Sequence, residues 1–224
     1  MEDPQGGAGL TIPDERDLLF LRLRAATGKC ACAPPPPEGG DAPPHIGKED
    51  RAARFGEAFS AAGGLLFHGP AESVLHDLGE TLRAEGVTAL FSPEDDAAAR
   101  RLAEALAPFG PFTLASCDRV REGGGAAATA GFRTADAGIA ETGTVIETSA
   151  EGRTHLPGLL SDVHVSLLPA SSLFASLEDA LASFGADLPR NVTFCSGPAR
   201  TADIEQTFAP GVYGPRKMIV LLLE

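Results

Sequence analysis

Two short runs hold most of the residues that could do chemistry. One is Gly138-Ile-Ala-Glu-Thr-Gly-Thr144; the other is Ser196-Gly-Pro-Ala-Arg-Thr-Ala-Asp-Ile-Glu205, followed by Gly211-Val-Tyr-Gly-Pro215. Each sets glycines, hydroxyls and an ionisable side chain beside apolar, strand-like sequence. Turns of that kind present backbone N–H groups and a titratable group together, as binding sites do. Glu141 is the one charge between Ala137 and Ile146. A partly desolvated carboxylate there must be hydrogen-bonded, paired, or raised in pKa. A raised pKa would suit a general base or nucleophile. The competing reading is a structural Glu that binds turn N–H groups or an Arg. Thr142 and Gly143 add a hydroxyl and a turn N–H beside it.

Ser196-Gly197-Pro198 follows an apolar run and is expected to open a helix over Thr201 to Phe208. The N–H groups and positive dipole end of such a helix make a seat for a carboxylate or phosphate, with Arg200 closing it and Thr201 in its first turn. The plainer alternative is a capped helix with Arg200 paired to Asp203. The spacing matches neither a phosphate loop nor a dinucleotide fingerprint. Gly211 and Gly214-Pro215 fix a turn that carries Tyr213, whose phenol could meet a ligand or pack on the domain edge.

No metal spacing stands out. His45, His68, His76, His155 and His164 form no HExxH, and Cys30, Cys32, Cys117 and Cys195 form no CxxC. Four well-placed thiolates for an iron–sulfur cluster are not offered, so the thiols read as reduced cysteines of a cytosolic protein. His164 alternates within an apolar strand and reads as a satisfied core or edge histidine. His155, before Pro157-Gly158 in a loop, is the more accessible one.

The elements that must position these residues alternate. Asp14 to Ala26 reads as an amphipathic helix, and Gly28 to Gly47, with four consecutive prolines, as an extended linker. The chain thus divides into an arm (1–27), a linker (28–47) and a folded domain (48–224). In that domain helices are expected at 48–62, 70–85, from Ser92 onward, and at 173–184. Strands are expected at 65–68, 87–91, 112–115, 137–140, 144–148, 163–168, 191–195 and 217–223. Gly123-Gly-Gly125 reads as a loop, and the alanines after it are ambiguous. Strand alternating with helix predicts an α/β layer around a largely parallel sheet.

Composition narrows the partners. The 224 residues carry a net charge of −13, and the pI is about 4.8. That balance argues against nucleic-acid or anionic-membrane binding, which needs clustered Lys and Arg. The longest aliphatic run, Met218 to Leu223, is too short to insert in a membrane, and the acidic start carries no secretory signal. A soluble cytoplasmic protein is expected, with a small anionic ligand held by a local positive spot, and with room for a homo-oligomer.

Taken in order, Gly138 to Ile146, the Leu156-Pro157 to His164 segment, Ser196 to Glu205 and Gly211 to Pro215 resemble the LUD domain family. Within it they look most like the lactate-utilisation protein C branch. The resemblance covers about Asp136 to Glu224 strongly and Lys48 to Asp118 weakly. It implies a three-layer α/β fold with a mostly parallel sheet, similar to the glucosamine-phosphate isomerase, ribose-phosphate isomerase and CoA-transferase group (NagB/RpiA/CoA-transferase-like). It also implies a cluster-free subunit in L-lactate oxidation to pyruvate, beside two partner proteins that carry iron–sulfur clusters. No cofactor is then expected in this chain. Relatives usually carry His where this chain has Tyr213, and often Ser where it has Ala199. Two further readings stand beside this one. A stand-alone enzyme could use Glu141 as nucleophile on a CoA thioester or as base on a sugar phosphate. A structural or regulatory protein could dock through the helix of the arm.

Overall fold

In the central strands, apolar side chains at alternate positions fall into two separate cores, which sets the layering. The structure, a computed structural model, describes Arg22 and residues 46–116, 118, 120, 128–149, 154–184, 189–202, 208–211 and 214–224, with the backbone alone at 201, 202 and 208–210. Apart from Arg22, Ile46 and Gly47, the expected arm and linker lie outside these residues.

The elements are α1 (Arg51–Ala61), β1 (Leu65–Phe67), α2 (Ala71–Ala84), β2 (Val87–Phe91), α3 (Ala97–Leu106), β3 (Thr113–Ala115), β4 (Ala128–Thr134), β5 (Ala137–Ile139), β6 (Thr144–Ser149), α4 (Leu156–Leu160), β7 (Val163–Pro169), β8 (Leu173–Phe174), α5 (Leu177–Ser183), β9 (Asn191–Cys195), β10 (Arg200–Ala202), β11 (Phe208–Pro210) and β12 (Lys217–Leu223). Six strands form one sheet in the order β1-β12-β7-β4-β2-β3, every neighbouring pair parallel. A second sheet runs β8-β5-β6-β9, with β6 antiparallel to both β5 and β9.

Parallel strands buried on both faces read as continuous apolar runs, as β12 (KMIVLLL) does. Ile219 and Leu221 of β12 and Val163, Val165 and Leu167 of β7 pack with Leu78 and Leu82 of α2 and Ala99, Ala103 and Leu106 of α3. Met218, Val220 and Leu222 face the other way, toward Phe55 and Phe59 of α1 and Val145 of β6. Helices thus cover one face of the large sheet, and α1 with the small sheet covers the other. This is the three-layer α/β arrangement. The two α1 phenyl rings stack with centroids 5.6 Å apart, as their four-residue spacing requires. Helix α5 covers the far side of the small sheet through Ala180, packed with Ile139 and Ile146.

Four expectations are corrected. The run Thr201 to Phe208 does not begin as a helix: Arg200–Ala202 is a strand paired antiparallel with Phe208–Pro210, and 203–207 lie outside the described residues. Strand β4, central in the sheet, was not foreseen, because Ala128, Ala130 and Gly131 in ATAGFRT offset the strand preference of its Thr and Phe residues. Its neighbours β2 and β7 impose the extended form. Helix α3 starts at Ala97 with Asp96 as cap, not at Ser92. Helix α5 starts at Leu177 with the Ser176 hydroxyl accepting from the Asp179 N–H, so Leu173–Phe174 is left as strand β8.

Candidate functional site

The turn between β5 and β6 rests on helix α1. Gly143 has φ +62°, and a Cβ there would lie 2.2 Å from the Phe59 backbone nitrogen. Only glycine satisfies both the left-handed backbone and that approach. Glu141, half-buried in this turn, accepts the N–H of Leu177 at 3.0 Å. Its carboxylate therefore sits at the N-terminus of α5, where a negative charge is favoured.

From Thr142 a chain of hydroxyls leads to the next strand. Thr142 Oγ1 and Thr144 Oγ1 are 2.7 Å apart, and Thr144 Oγ1 and Ser196 Oγ 2.8 Å. Thr144 is buried, whereas Thr142 and Ser196 are exposed. Register explains the junction: Val145 pairs with Cys195, which brings the residue after β9 beside the start of β6. Gly197, at φ +149°, passes so close to α1 that a Cβ would be 2.9 Å from the Ala62 carbonyl oxygen. Arg200 donates from Nη2 to that same oxygen at 2.8 Å.

Glu141, Thr142, Gly143, Ser196, Gly197 and Arg200 are thus gathered by two turns at the carbonyl end of α1. What differs from expectation is the electrostatics. No helix opens after Pro198, where β10 follows, and the helix N-terminus that does reach this cluster, that of α5, already holds the Glu141 carboxylate. The described cation is Arg200, exposed and set against the negative end of a helix. Thr201 lies on β10, where only the backbone is described, and Tyr213 lies outside the described residues.

A second polar group is buried between the two sheets; of its members His164 alone was expected there, as a satisfied core or edge histidine. Alternation on β4 and β7 turns Arg133, His164 and Ser166 toward the small sheet, and Glu147 of β6 meets them. Glu147 Oε1 contacts His164 Nε2 at 2.7 Å and accepts from Ser166 Oγ at 3.1 Å. His164 Nδ1 lies 3.2 Å from the Gly131 carbonyl oxygen. Arg133, only 2% exposed, donates to the carbonyls of Thr148 and Thr154. It also lies 3.6 Å from Glu147 and 3.7 Å from Asp136. Asp136 in turn accepts from the Thr148 N–H at 2.7 Å. The expected loop at Leu156 is the short helix α4, whose Pro157 backbone fits over Gly131, where a Cβ would be 2.4 Å from the Pro157 oxygen. His155 precedes α4, with Nδ1 3.4 Å from Thr193 Oγ1.

Burial alone would raise the Glu147 pKa, but the charge and hydrogen bond of His164, with Arg133 and Ser166, hold it below its ordinary value of 4.5. A buried carboxylate needs such partners. Burial and the Arg133 charge push His155 below its ordinary 6.5, despite the opposing pull of Glu147 and Asp136. Burial and then Glu147 raise the Cys195 thiol to about 12. It is a thiol and not a thiolate at neutral pH, and so no ready nucleophile. A single ionisable residue in each of three strands, Arg133 in ATAGFRT, Glu147 in TVIETS and His164 in VHVSLLP, was the signal available in sequence. Among the described residues no three His, Cys, Asp or Glu side chains are grouped to hold a metal ion.

A parallel sheet with helices on one face, a smaller sheet on the other and an ionic seam between defines a three-layer α/β protein. Residues 81–223 match the LUD domain family, and the chain belongs to it. It is 35% identical over 97 residues to an uncharacterized protein of Neisseria meningitidis serogroup B, covering 42% of each chain. It is 32% identical over 100 residues to lactate utilization protein C of Halalkalibacterium halodurans, covering 42% of this chain and 44% of that one. With lactate utilization protein C of Exiguobacterium sp. it shares 33% identity over 99 residues, 42% of this chain and 43% of the other. The match therefore spans less than half the length of these relatives. The crystal structure of a DUF162 family protein from Deinococcus radiodurans superposes with a TM-score of 0.56 over 80% of this chain and 100% of that one. At 15% identity it shares the fold.

Proposed function

We propose that this protein acts in lactate utilisation, as a cluster-free component that binds a small carboxylate beside two iron–sulfur partner proteins. The observation that carries this reading is the similarity to relatives named lactate utilization protein C, within a shared family. The ligand is placed at the junction of the two turns, with Arg200 as counter-charge and the Thr142, Thr144 and Ser196 hydroxyls as neutral partners. Gly143 and Gly197 keep the turn backbones close there, and Thr201 and Tyr213 complete the proposed binding set. One N–H of Arg200 goes to Ala62, and a guanidinium carries five. Glu141, already accepting a helix N–H, is assigned to positioning this turn, not to acyl transfer or isomerisation.

A thermal-shift screen of wild type and Arg200→Ala against lactate, pyruvate, acetyl-CoA and sugar phosphates tests this. A ligand that binds only the folded state raises the melting temperature by mass action. The expected result is a rise with lactate or pyruvate that Arg200→Ala loses. No rise with any hydroxy- or oxo-acid, together with unimpaired growth on lactate after loss of the protein, would overturn the reading.

A further inference from the structure

The hydroxyls of Thr142, Thr144 and Ser196 form a line in which the outer two are not independent. Thr144 Oγ1 lies 2.7 Å from Thr142 Oγ1 and 2.8 Å from Ser196 Oγ. Thr144 is 4% exposed, and Thr142 and Ser196 are exposed at its two sides. Whatever meets this line meets it at those outer residues. Among the described residues the Thr144 hydroxyl has no hydrogen-bond partner besides these two neighbours, and neither of them has a partner besides Thr144.

A hydroxyl has one proton to donate and two lone pairs to accept with. A buried Thr144 proton left without an acceptor would be costly, so it goes to one neighbour, and the other neighbour donates to Thr144. Whichever way the line runs, one exposed end offers a proton and the other offers only lone pairs. Water suits both ends, because it donates and accepts. A ligand that replaces water at both ends must accept at one and donate at the other. With two short spacings between them, the outer oxygens are close enough for one three-carbon acid to touch both. Arg200 sets the direction. Gly197 passes the Ala62 carbonyl that also holds Arg200, whereas Gly143 passes Phe59, a turn earlier on α1. The Ser196 end is therefore the one beside the guanidinium. A carboxylate held by Arg200 accepts from Ser196, Ser196 accepts from Thr144, and Thr144 accepts from Thr142. Thr142 then faces the ligand with lone pairs alone. A 2-hydroxy acid gives its hydroxyl proton to them. A 2-oxo acid has none to give, and sets lone pair against lone pair. We propose that this line of hydroxyls selects a 2-hydroxy acid over its 2-oxo counterpart, an inference that rests on the carboxylate site above. Thr144 is a positioning residue in it, acting through Thr142 and Ser196.

The test is titration calorimetry of the full chain with L-lactate, pyruvate and propionate, on wild type, Arg200→Ala, Thr142→Val, Thr144→Val and Thr144→Ser. Wild type should bind L-lactate about threefold to tenfold more tightly than pyruvate or propionate, the worth of one neutral hydrogen bond. Thr144→Val keeps the shape of the side chain but cuts the line. Each outer hydroxyl then turns its proton independently, Thr142 can donate to a keto oxygen, and the preference for lactate should fall toward none. Thr144→Ser restores the hydroxyl and should keep the preference. Lost packing alone would weaken both acids together and leave their ratio unchanged. Thr142→Val, at an exposed position, removes the accepting end and should also bring lactate down to the level of pyruvate. Equal binding of the two acids to wild type, tighter binding of pyruvate, or a preference that survives both valine variants would overturn the selectivity. The site itself would still stand if Arg200→Ala abolished binding of both acids. No binding of either acid to wild type would remove the site, and this inference with it.

Discussion

At the scale of single residues, the buried seam sets a pH dependence with two stages. His155 is held below its ordinary 6.5 in the fold, so the unfolded chain takes up that proton first. Its contribution to stability is whole above about 6.5 and is lost as pH falls from there toward the folded value. Glu147 is held below 4.5, so its contribution is whole above that value and lost as pH falls through the folded one. Urea midpoints measured from pH 8 to pH 3 should decline first on the His155 stage and again below about 4.5. His155→Gln should flatten the upper decline and leave the lower one. An unchanged upper slope in that variant would show that another group causes it. These residues were hard to read in the sequence because each looks ordinary alone. Glu147 lies one position beyond the apolar window that made Glu141 conspicuous, and its partner Arg133 sits on a strand that propensity does not announce. By contrast Gly143 was legible as a glycine in the turn between two strands, whereas the turn at Gly197, read as the opening of a helix, leads into β10.

At the scale of elements, Asp96 ties a helix to a strand. Its Oδ1 accepts from the Ala99 N–H at 3.0 Å and from Thr134 Oγ1 at 2.8 Å, and its Oδ2 from the Thr134 N–H at 2.6 Å. One carboxylate thus caps α3 and satisfies the last residue of β4. Asp96→Ala removes the cap and leaves part-buried Thr134 donors without that acceptor, at an expected cost of about 2–4 kcal/mol in urea unfolding. Asp96→Asn should recover part of it, and a loss below about 0.5 kcal/mol for the alanine variant would refute the double role. Most elements were legible. Strands 87–91, 191–195 and 217–223 lie where alternation or apolar runs put them. The pairing of β10 with β11 was not, because TADIEQTF suits a helix locally, whereas Arg200, Thr201 and Ala202 pair with Pro210, Ala209 and Phe208.

At the scale of the whole molecule, the two sheets are joined through their interior. Ionic contacts run from β4 and β7 to β6 across a shared layer that also holds Val145 and Leu168. Separating the sheets would expose the apolar residues of that layer to water on both sides, so neither sheet is expected to stand alone. Scanning calorimetry should therefore show one transition from the folded unit, with van't Hoff and calorimetric enthalpies in agreement. Two resolved transitions would show that the sheets unfold separately. The α/β class and parallel sheet were readable from alternation. The second sheet packed against the first was not, since no local pattern says that β5 and β6 leave one layer to build another. Among the described residues no helix is long and apolar enough to cross a membrane.

The place of β1 carries a consequence in time. Leu65 lies against Ile219, and β12 is the only strand among the described residues that pairs with β1. Strands β2, β4 and β7 are nearer in sequence and can associate while β12 is still unordered. Closing the longest loop costs the most chain entropy and comes last. Until then β1 has no strand partner, and the stacked phenyl rings of α1 lack their contacts with Met218, Val220 and Leu222. The sheet therefore completes from its centre toward this margin. A slowly folding or newly made chain would stay vulnerable there, to self-association or to a chaperone's grip, after the centre of the sheet had closed.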